Sequence, residues 1–64
     1  MNNLIATELS NQGFTTRITQ TGVLVSLNSL ISRWQVEIAL EQAFEGMEFR
    51  VVRISKNSVH VSES

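Results

Sequence analysis

Few residues in this 64-residue chain could take part in catalysis. His60 is the single histidine, and the sequence contains no cysteine and no aspartate to complete a catalytic triad with it. The six acidic residues are all glutamates, and acid–base catalysis by two carboxylates needs a cleft that separates their pKa values. Three of the six glutamates fall on one predicted helix, whose surface is convex, so the sequence favours a non-enzymatic protein, with a Ser–His arrangement left open.

Metal and cofactor sites find as little support in the sequence. A metal site would have to combine His60 with glutamates, because no thiolate ligand is present. The three glycines are scattered, so no Gly-rich loop with the spacing that holds phosphate groups occurs. We therefore expect neither a metal nor a cofactor.

Chain length argues in the same direction. A domain of this size buries only about 60% of the surface that its unfolded chain exposes, so its core is small. A deep substrate pocket would remove much of that core. Homodimerisation would extend the core, and we keep it as an expectation.

Net charge argues against a general nucleic-acid binder, and the lack of cysteine predicts a cytoplasmic location. The chain carries five basic and six acidic side chains, which is not the balance of a general nucleic-acid binder. Small secreted domains usually need disulfides, and this one has no cysteine. The N-terminal segment MNNLIATELS lacks the features of a signal peptide, and no stretch approaches the length of a membrane span.

Local patterns predict two helices, each followed by a β-hairpin. The first helix is expected from Asn3 to Gln12, with Asn2 or Asn3 as its cap and Gly13 closing it. The run from Thr15 to Leu27 is rich in β-branched residues and has a turn candidate at Thr21-Gly22.

The second helix has the clearest start signal in the chain. Ser32 and Gln35 have the spacing of a capping box, and Ile31 and Val36 that of a hydrophobic staple. This helix is expected over Arg33–Glu45, closed by Gly46. A second hairpin is expected from Glu48 to Ser62, with its turn at Lys56-Asn57 or Asn57-Ser58. The helical positions expected in the core are Met1, Ile5, Leu9, Val36, Ala39, Leu40, Ala43 and Phe44.

These elements predict one α+β domain over residues 1–64, a two-layer αββαββ fold. Both helices pack on one face of a four-stranded, mainly antiparallel sheet; one parallel pair and the strand order are left open. Alternation assigns these strand residues to the helix side: Thr16, Ile18, Val23, Val25, Leu27, Val52, Ile54, Val59 and Val61. It assigns these to the opposite side: Arg17, Thr19, Leu24, Ser26, Phe49, Val51, Arg53, Ser55, His60 and Ser62.

The two halves of the chain resemble each other. Residues 5–17 align on 38–50 and share Ile, Ala, Glu, Gly and Arg, while 17–26 align on 53–62 and share Arg, Ile, two Val and Ser. An internal duplication with units 2–28 and 32–64 would explain this. Chance similarity between two units of one architecture is the alternative.

One candidate binding surface lies on the side of the sheet that no helix covers. It is expected to carry Arg17 and Arg53 at equivalent places, together with Phe49 and His60. Arginine binds phosphate or carboxylate in a bidentate manner, and an aromatic ring stacks on bases. A nucleic acid or a protein partner would fit this surface; a solvated face whose arginine stems shield apolar neighbours is the simpler interpretation.

The other candidate surface lies on the second helix, opposite its core stripe. Trp34 and Ile38 are four residues apart, and Glu37, Glu41 and Glu45 form an acidic ridge beside them. An exposed Trp–Ile pair would be a binding hot spot. Alternatively, Trp34 folds over the core edge against Leu30, and the glutamates form a solvated helix face.

The leading hypothesis is a small regulatory protein that binds or inhibits a larger protein through this helix or through the sheet. Small inhibitors encoded by phages and mobile elements have a similar size and lack of site chemistry. Nucleic-acid binding through Arg17, Arg53, Phe49 and His60 is the alternative. We expect no membrane partner.

Overall fold

The computed structural model describes residues 1–64 and confirms the predicted order of elements. The elements are α1 Asn2–Asn11, β1 Thr16–Ile18, β2 Val23–Ser26, α2 Arg33–Ala43, β3 Phe49–Ser55 and β4 Ser58–Glu63. Neither helix has the length and apolar stretch needed to cross a lipid bilayer.

The first helix begins one residue earlier than predicted. Its N-cap is Met1, and no side chain caps it, so the prediction that Asn2 or Asn3 does so was wrong. The peptide NH of Gly13 bonds to the carbonyl of Ser10, and its φ of 97° lies in the left-handed region expected after a helix. Ile5 and Leu9 are fully buried, as their spacing predicts, whereas Met1, predicted to be in the same stripe, is exposed.

The second helix begins where the capping box placed it. Ser32 is the N-cap, and Gln35 Oε1 accepts a hydrogen bond from the backbone NH of Ser32 at 2.6 Å. The helix ends at Ala43, two residues before the predicted end, and Phe44 takes a non-helical conformation. Val36, Ala39 and Leu40 are buried.

The sheet is antiparallel throughout, in the order β1-β2-β4-β3. Because β4 lies between β2 and β3, the parallel pair that the sequence left open does not form. The helices contact one side of the sheet, α1 over β1 and β2 and α2 beside β3. The two-layer α+β prediction is confirmed. The buried core consists of Ile5, Ala6, Leu9, Val23, Val25, Val36, Ala39, Leu40, Val59 and Val61.

The pairing of the two central strands has a twofold pattern. In the β2–β4 ladder Leu24 lies directly opposite His60, flanked by Val23 opposite Val61 and Val25 opposite Val59. The alignment of residues 17–26 on 53–62 makes Leu24 and His60 equivalent. An antiparallel ladder between two equivalent strands has its local twofold axis at such a pair. The duplication itself remains a prediction.

A bulge in β3 overturns the predicted facing of that strand. The register shifts between Arg53, which lies opposite Val59, and Ser55, which lies opposite Ser58. One extra residue on β3 reverses the facing of the strand on the far side of the bulge. Phe49, Val51 and Arg53 therefore lie on the helix side, while Val52 and Ile54, predicted to be in the core, are 41% and 59% exposed.

Candidate partner-binding surface on the second helix

Trp34 lies in the first turn of α2 and is 68% exposed. The alternative in which it covers the core edge against Leu30 is not observed, since Leu30 is itself 83% exposed. The cause is helical periodicity: Val36 and Leu40 turn toward the sheet, and Trp34 is on the far side of the helix from them. A large aromatic side chain is thus held on a regular helix and faces solvent.

Ile38 and the glutamates complete the surface around Trp34. Ile38 and Glu37 are half-buried, whereas Glu41 and Glu45 are exposed. We call these five residues the outer α2 surface. The structure places four of the five on α2, as the spacing predicts, whereas Glu45 lies in the turn after the helix ends at Ala43.

An open cleft of about 560 Å³ separates α2 from β3. Its apolar side is formed by Leu40, Phe49 and Val51, and its polar rim by Arg33 and three glutamates. Those glutamates are Glu37, Glu41 and Glu48. We call this open space between α2 and β3 the α2–β3 cleft. A second open hollow, of about 480 Å³, is lined by Ile38, Glu41, Gln42 and Glu45.

Arg33 connects the outer α2 surface to the sheet. Its Nε donates to Glu37 Oε1 at 3.1 Å, and its Nη2 donates to the backbone carbonyl of Val51 at 3.1 Å. The ion pair is exposed, with about half of each side chain accessible, so it contributes little to stability. It neutralises one of the glutamates along the helix and leaves the surface with a net negative charge.

The open face of the sheet carries Arg17 and His60 as predicted. They lie in one cross-strand row, in which Arg17 pairs with Leu24, Leu24 with His60, and His60 with Val52. His60 Nε2 is hydrogen-bonded to Thr19 Oγ1 at 2.9 Å. The same hydroxyl accepts the backbone NH of Gly22 at 3.0 Å, so His60 ties β4 to the first hairpin turn.

Arg53 and Phe49 are not on the open face, and this part of the prediction was wrong. The Arg53 guanidinium is turned back on its own hairpin, where it donates to the carbonyls of Ser55 and Lys56, each at 3.2 Å. Phe49 packs against the core, with its ring centre 5.5 Å from that of Phe44 in an edge-to-face arrangement.

Arg50 occupies the open face instead, opposite Ser62. It lies on β3 and Arg17 lies on β1, so the two arginines are at opposite edges of the sheet, about 14 Å apart by strand spacing alone. No Phe, Tyr or Trp side chain lies between them on this face. The open face thus offers neither the paired arginines nor the stacking ring on which the nucleic-acid hypothesis was based.

Comparisons with known proteins found no match for this chain among protein-family models, curated proteins or solved structures. The function must therefore be argued from the surfaces themselves.

Sequence reasoning missed two features of the site. Glu48 lines the α2–β3 cleft, and β3 is an edge strand. Both depend on the strand order, which local patterns do not determine. The one available signal was the spacing of Arg33 and Glu37, which predicts an ion pair on that side of the helix.

Proposed function

We propose that this chain is a non-enzymatic interaction protein that binds a larger protein through the outer α2 surface. It inhibits that protein by covering the part of the partner's surface to which it binds. The observation that carries the proposal is the 68% exposure of Trp34 beside the acidic ridge. A small domain with few large side chains loses core packing by leaving its only tryptophan in solvent. Burial of Trp34 against a partner would account for this exposed position.

The chemistry of the outer α2 surface defines the partner. Trp34 would fill an apolar pocket, because a tryptophan buries roughly 150–250 Å² at low entropic cost. Glu41 and Glu45 would face lysine or arginine side chains on the rim of that pocket. Complementary charges at a rim mainly raise the association rate, so binding should weaken as salt increases.

The broader biological role follows from size and composition. A chain with one small core acts most simply by covering a surface of something larger, as inhibitors encoded by phages or mobile elements do. A cytoplasmic location and a homodimer are compatible with this role and form part of the proposal. Nucleic-acid binding through the open sheet face has lost the support of Arg53 and Phe49.

The experiment begins with affinity capture from the lysate of the native host and continues with the captured protein in purified form. The Trp34→Ala/Glu41→Ala double variant should bind at least about 30-fold more weakly, as expected for loss of a hot spot. Leu4→Ala/Glu8→Ala is the matched control, because it removes one exposed aliphatic and one acidic side chain from α1. A folded Trp34→Ala/Glu41→Ala variant with unchanged affinity would rule out the outer α2 surface.

A further inference from the structure

The free edge of β3 is the longest unpaired strand edge in the molecule. β3 has seven residues and lies at the end of the sheet, whereas β1, at the other end, has three. The side chain of Thr16 on β1 is also tied to α1 through Ser10 Oγ at 2.8 Å. An unpaired edge strand is a template for pairing with another chain, and β3, where Arg33 caps the Val51 carbonyl, provides the better one.

The hydrogen-bonding groups on this edge can be assigned from the ladder. The carbonyl of Glu48 faces β4, since it accepts the backbone NH of Ser64 at 3.2 Å. In an antiparallel pair, residues whose backbone groups bond to the partner strand alternate with residues whose backbone groups point away from it. Phe49, Val51 and Arg53 therefore turn their backbone NH and carbonyl groups away from β4, toward the free edge. The Val51 carbonyl agrees with this assignment, because Arg33 reaches it from outside the sheet.

The two sides of this edge have different chemistry. On the helix side lies the α2–β3 cleft, with apolar Leu40 and Phe49 below and Glu37, Glu41 and Glu48 around the rim. A lysine or arginine fits such a site, since its stem packs on apolar surface while its charge reaches a carboxylate. On the open side, Val52 and Ile54 are 41% and 59% exposed and would pack against aliphatic side chains.

We propose that β3 pairs with an extended segment of a partner protein in which basic residues alternate with β-branched aliphatic residues. The segment adds a fifth strand to the sheet, with its basic side chains over the α2–β3 cleft and its aliphatic side chains beside Val52 and Ile54. This mode of recognition combines main-chain hydrogen bonds with alternating side-chain contacts. The inference rests on the proposed function, because it states how part of the partner would be held.

A second copy of this chain fits the edge less well. Antiparallel pairing of two β3 strands would bring both acidic rims beside the same pair of strands. Glu37, Glu41 and Glu48 of each copy would then repel those of the other, with Arg33 as the one positive rim residue in each. Like charges at an interface disfavour a partner, so charge complementarity selects a basic segment.

The test uses the synthetic peptide acetyl-Lys-Val-Lys-Val-Lys-Val-Lys-amide and the full chain. Amide hydrogen exchange, measured by NMR, should slow by at least about tenfold at Phe49, Val51 and Arg53 when the peptide is saturating. Two control peptides carry methyl groups on backbone nitrogens, one at its lysines and the other at its valines. Only one of these two patterns removes the peptide NH groups that face β3. The peptide with that pattern should bind at least tenfold more weakly than the other.

Two charge reversals identify the surface. Glu48→Lys alters the α2–β3 cleft, whereas Glu45→Lys alters the outer α2 surface without lining that cleft. The first should weaken peptide binding by about tenfold, and the second by less than threefold. Equal effects of both reversals, or peptide binding without slowed exchange at the three amides, would overturn the proposal. So would a free chain that is already dimeric with those amides protected, because a second copy would then occupy the edge.

Failure of this inference can be told apart from failure of the proposed function. Trp34→Ala should leave peptide affinity within about twofold, because Trp34 does not line the α2–β3 cleft. The single variant Trp34→Ala separates the two failures, because Glu41 lines the α2–β3 cleft as well. If no peptide binds but Trp34→Ala loses the captured partner, only strand pairing is wrong. If the peptide protects the edge while Trp34→Ala retains the partner, the outer α2 surface is wrong and the β3 edge stands.

Discussion

Arg33 covers the backbone carbonyl of Val51, with 3.1 Å between Nη2 and the oxygen. The contact joins the first turn of α2 to the free edge of β3. Natural sheets often protect an exposed edge with a charged side chain, because a bare edge recruits other strands. Arg33 is well suited to this task, since its Nε remains paired with Glu37 while Nη2 occupies the carbonyl.

Arg33→Ala should leave the fold intact and make the β3 edge more available. The free energy of unfolding should change by no more than about 0.5 kcal/mol, since the ion pair is exposed. Affinity for the alternating Lys–Val peptide should rise about threefold or more, because one acceptor is freed and one repelling cation is removed. Calorimetric titration measures the affinity, and denaturant unfolding measures the stability.

Arg50→Ala is the control for charge alone in that experiment. Arg50 lies on the same strand, opposite Ser62 on the open face, and no hydrogen bond from its side chain to the protein is observed. If Arg50→Ala raised peptide affinity as much as Arg33→Ala, net charge would account for the gain. The contact between Arg33 and Val51 would then have no role in protecting the edge.

Trp34 and Leu40 lie on the same helix, yet their substitution should affect stability very differently. Leu40 is 2% exposed, and Leu40→Ala should lower the free energy of unfolding by about 2–5 kcal/mol through lost burial and a cavity. Trp34→Ala should change it by less than about 1 kcal/mol, because most of that side chain is already in solvent. Urea denaturation at fixed protein concentration measures both values. A loss above 2 kcal/mol in Trp34→Ala would mean that the tryptophan is needed for folding.

Oligonucleotide binding should be absent or very weak. Phosphate contacts release counterions, so a genuine nucleic-acid binder gains affinity steeply as salt is lowered. With Arg17 and Arg50 on opposite edge strands and Phe49 packed against the core on the helix side, the open face has no continuous basic surface. Titration of short single-stranded and duplex oligonucleotides at low salt checks this. Salt-dependent binding that Arg17→Ala abolishes would revive the alternative function.

The second helix and the turn after β3 were predictable from local chemistry. Ser32 and Gln35 satisfy free backbone NH groups at a helix start, which requires only that they be three residues apart. The turn at Lys56-Asn57, one of two candidates, follows from polar residues between two apolar runs. Interactions of this kind involve neighbours in the chain, so the sequence alone contains them.

The facing of β3 was not predictable in this way. Val52 and Ile54 are in phase with Val59 and Val61 for a regular hairpin, and only the bulge near Ile54 moves them to the open face. A bulge is chosen by the fit of the whole strand to the helices, here Phe49 and Val51 against the core. No residue type between Arg53 and Ser55 indicates a bulge. Because the bulge was not predicted, Arg53 and Phe49 were also assigned to the open face, where the structure does not place them.

Gly22 is required by a close contact rather than by its backbone conformation. Its φ is not positive, but a Cβ at this position would overlap the carbonyl oxygen of Val61 and lie 2.9 Å from His60 Cε1. A backbone oxygen in a central strand cannot move without disturbing the β2–β4 ladder. Gly22→Ala should therefore lower the free energy of unfolding by about 3 kcal/mol or more.

Gly13→Ala is the matched substitution, because it adds the same methyl group where no atom lies within 4 Å. Its cost comes only from the left-handed conformation, with φ at 97°, and should be about 1–2 kcal/mol. Urea denaturation compares the two variants. A Gly22→Ala variant as stable as Gly13→Ala would mean that β2 and β4 are not held as closely as the Val61 contact implies. The register in which Leu24 lies opposite His60 would then be wrong.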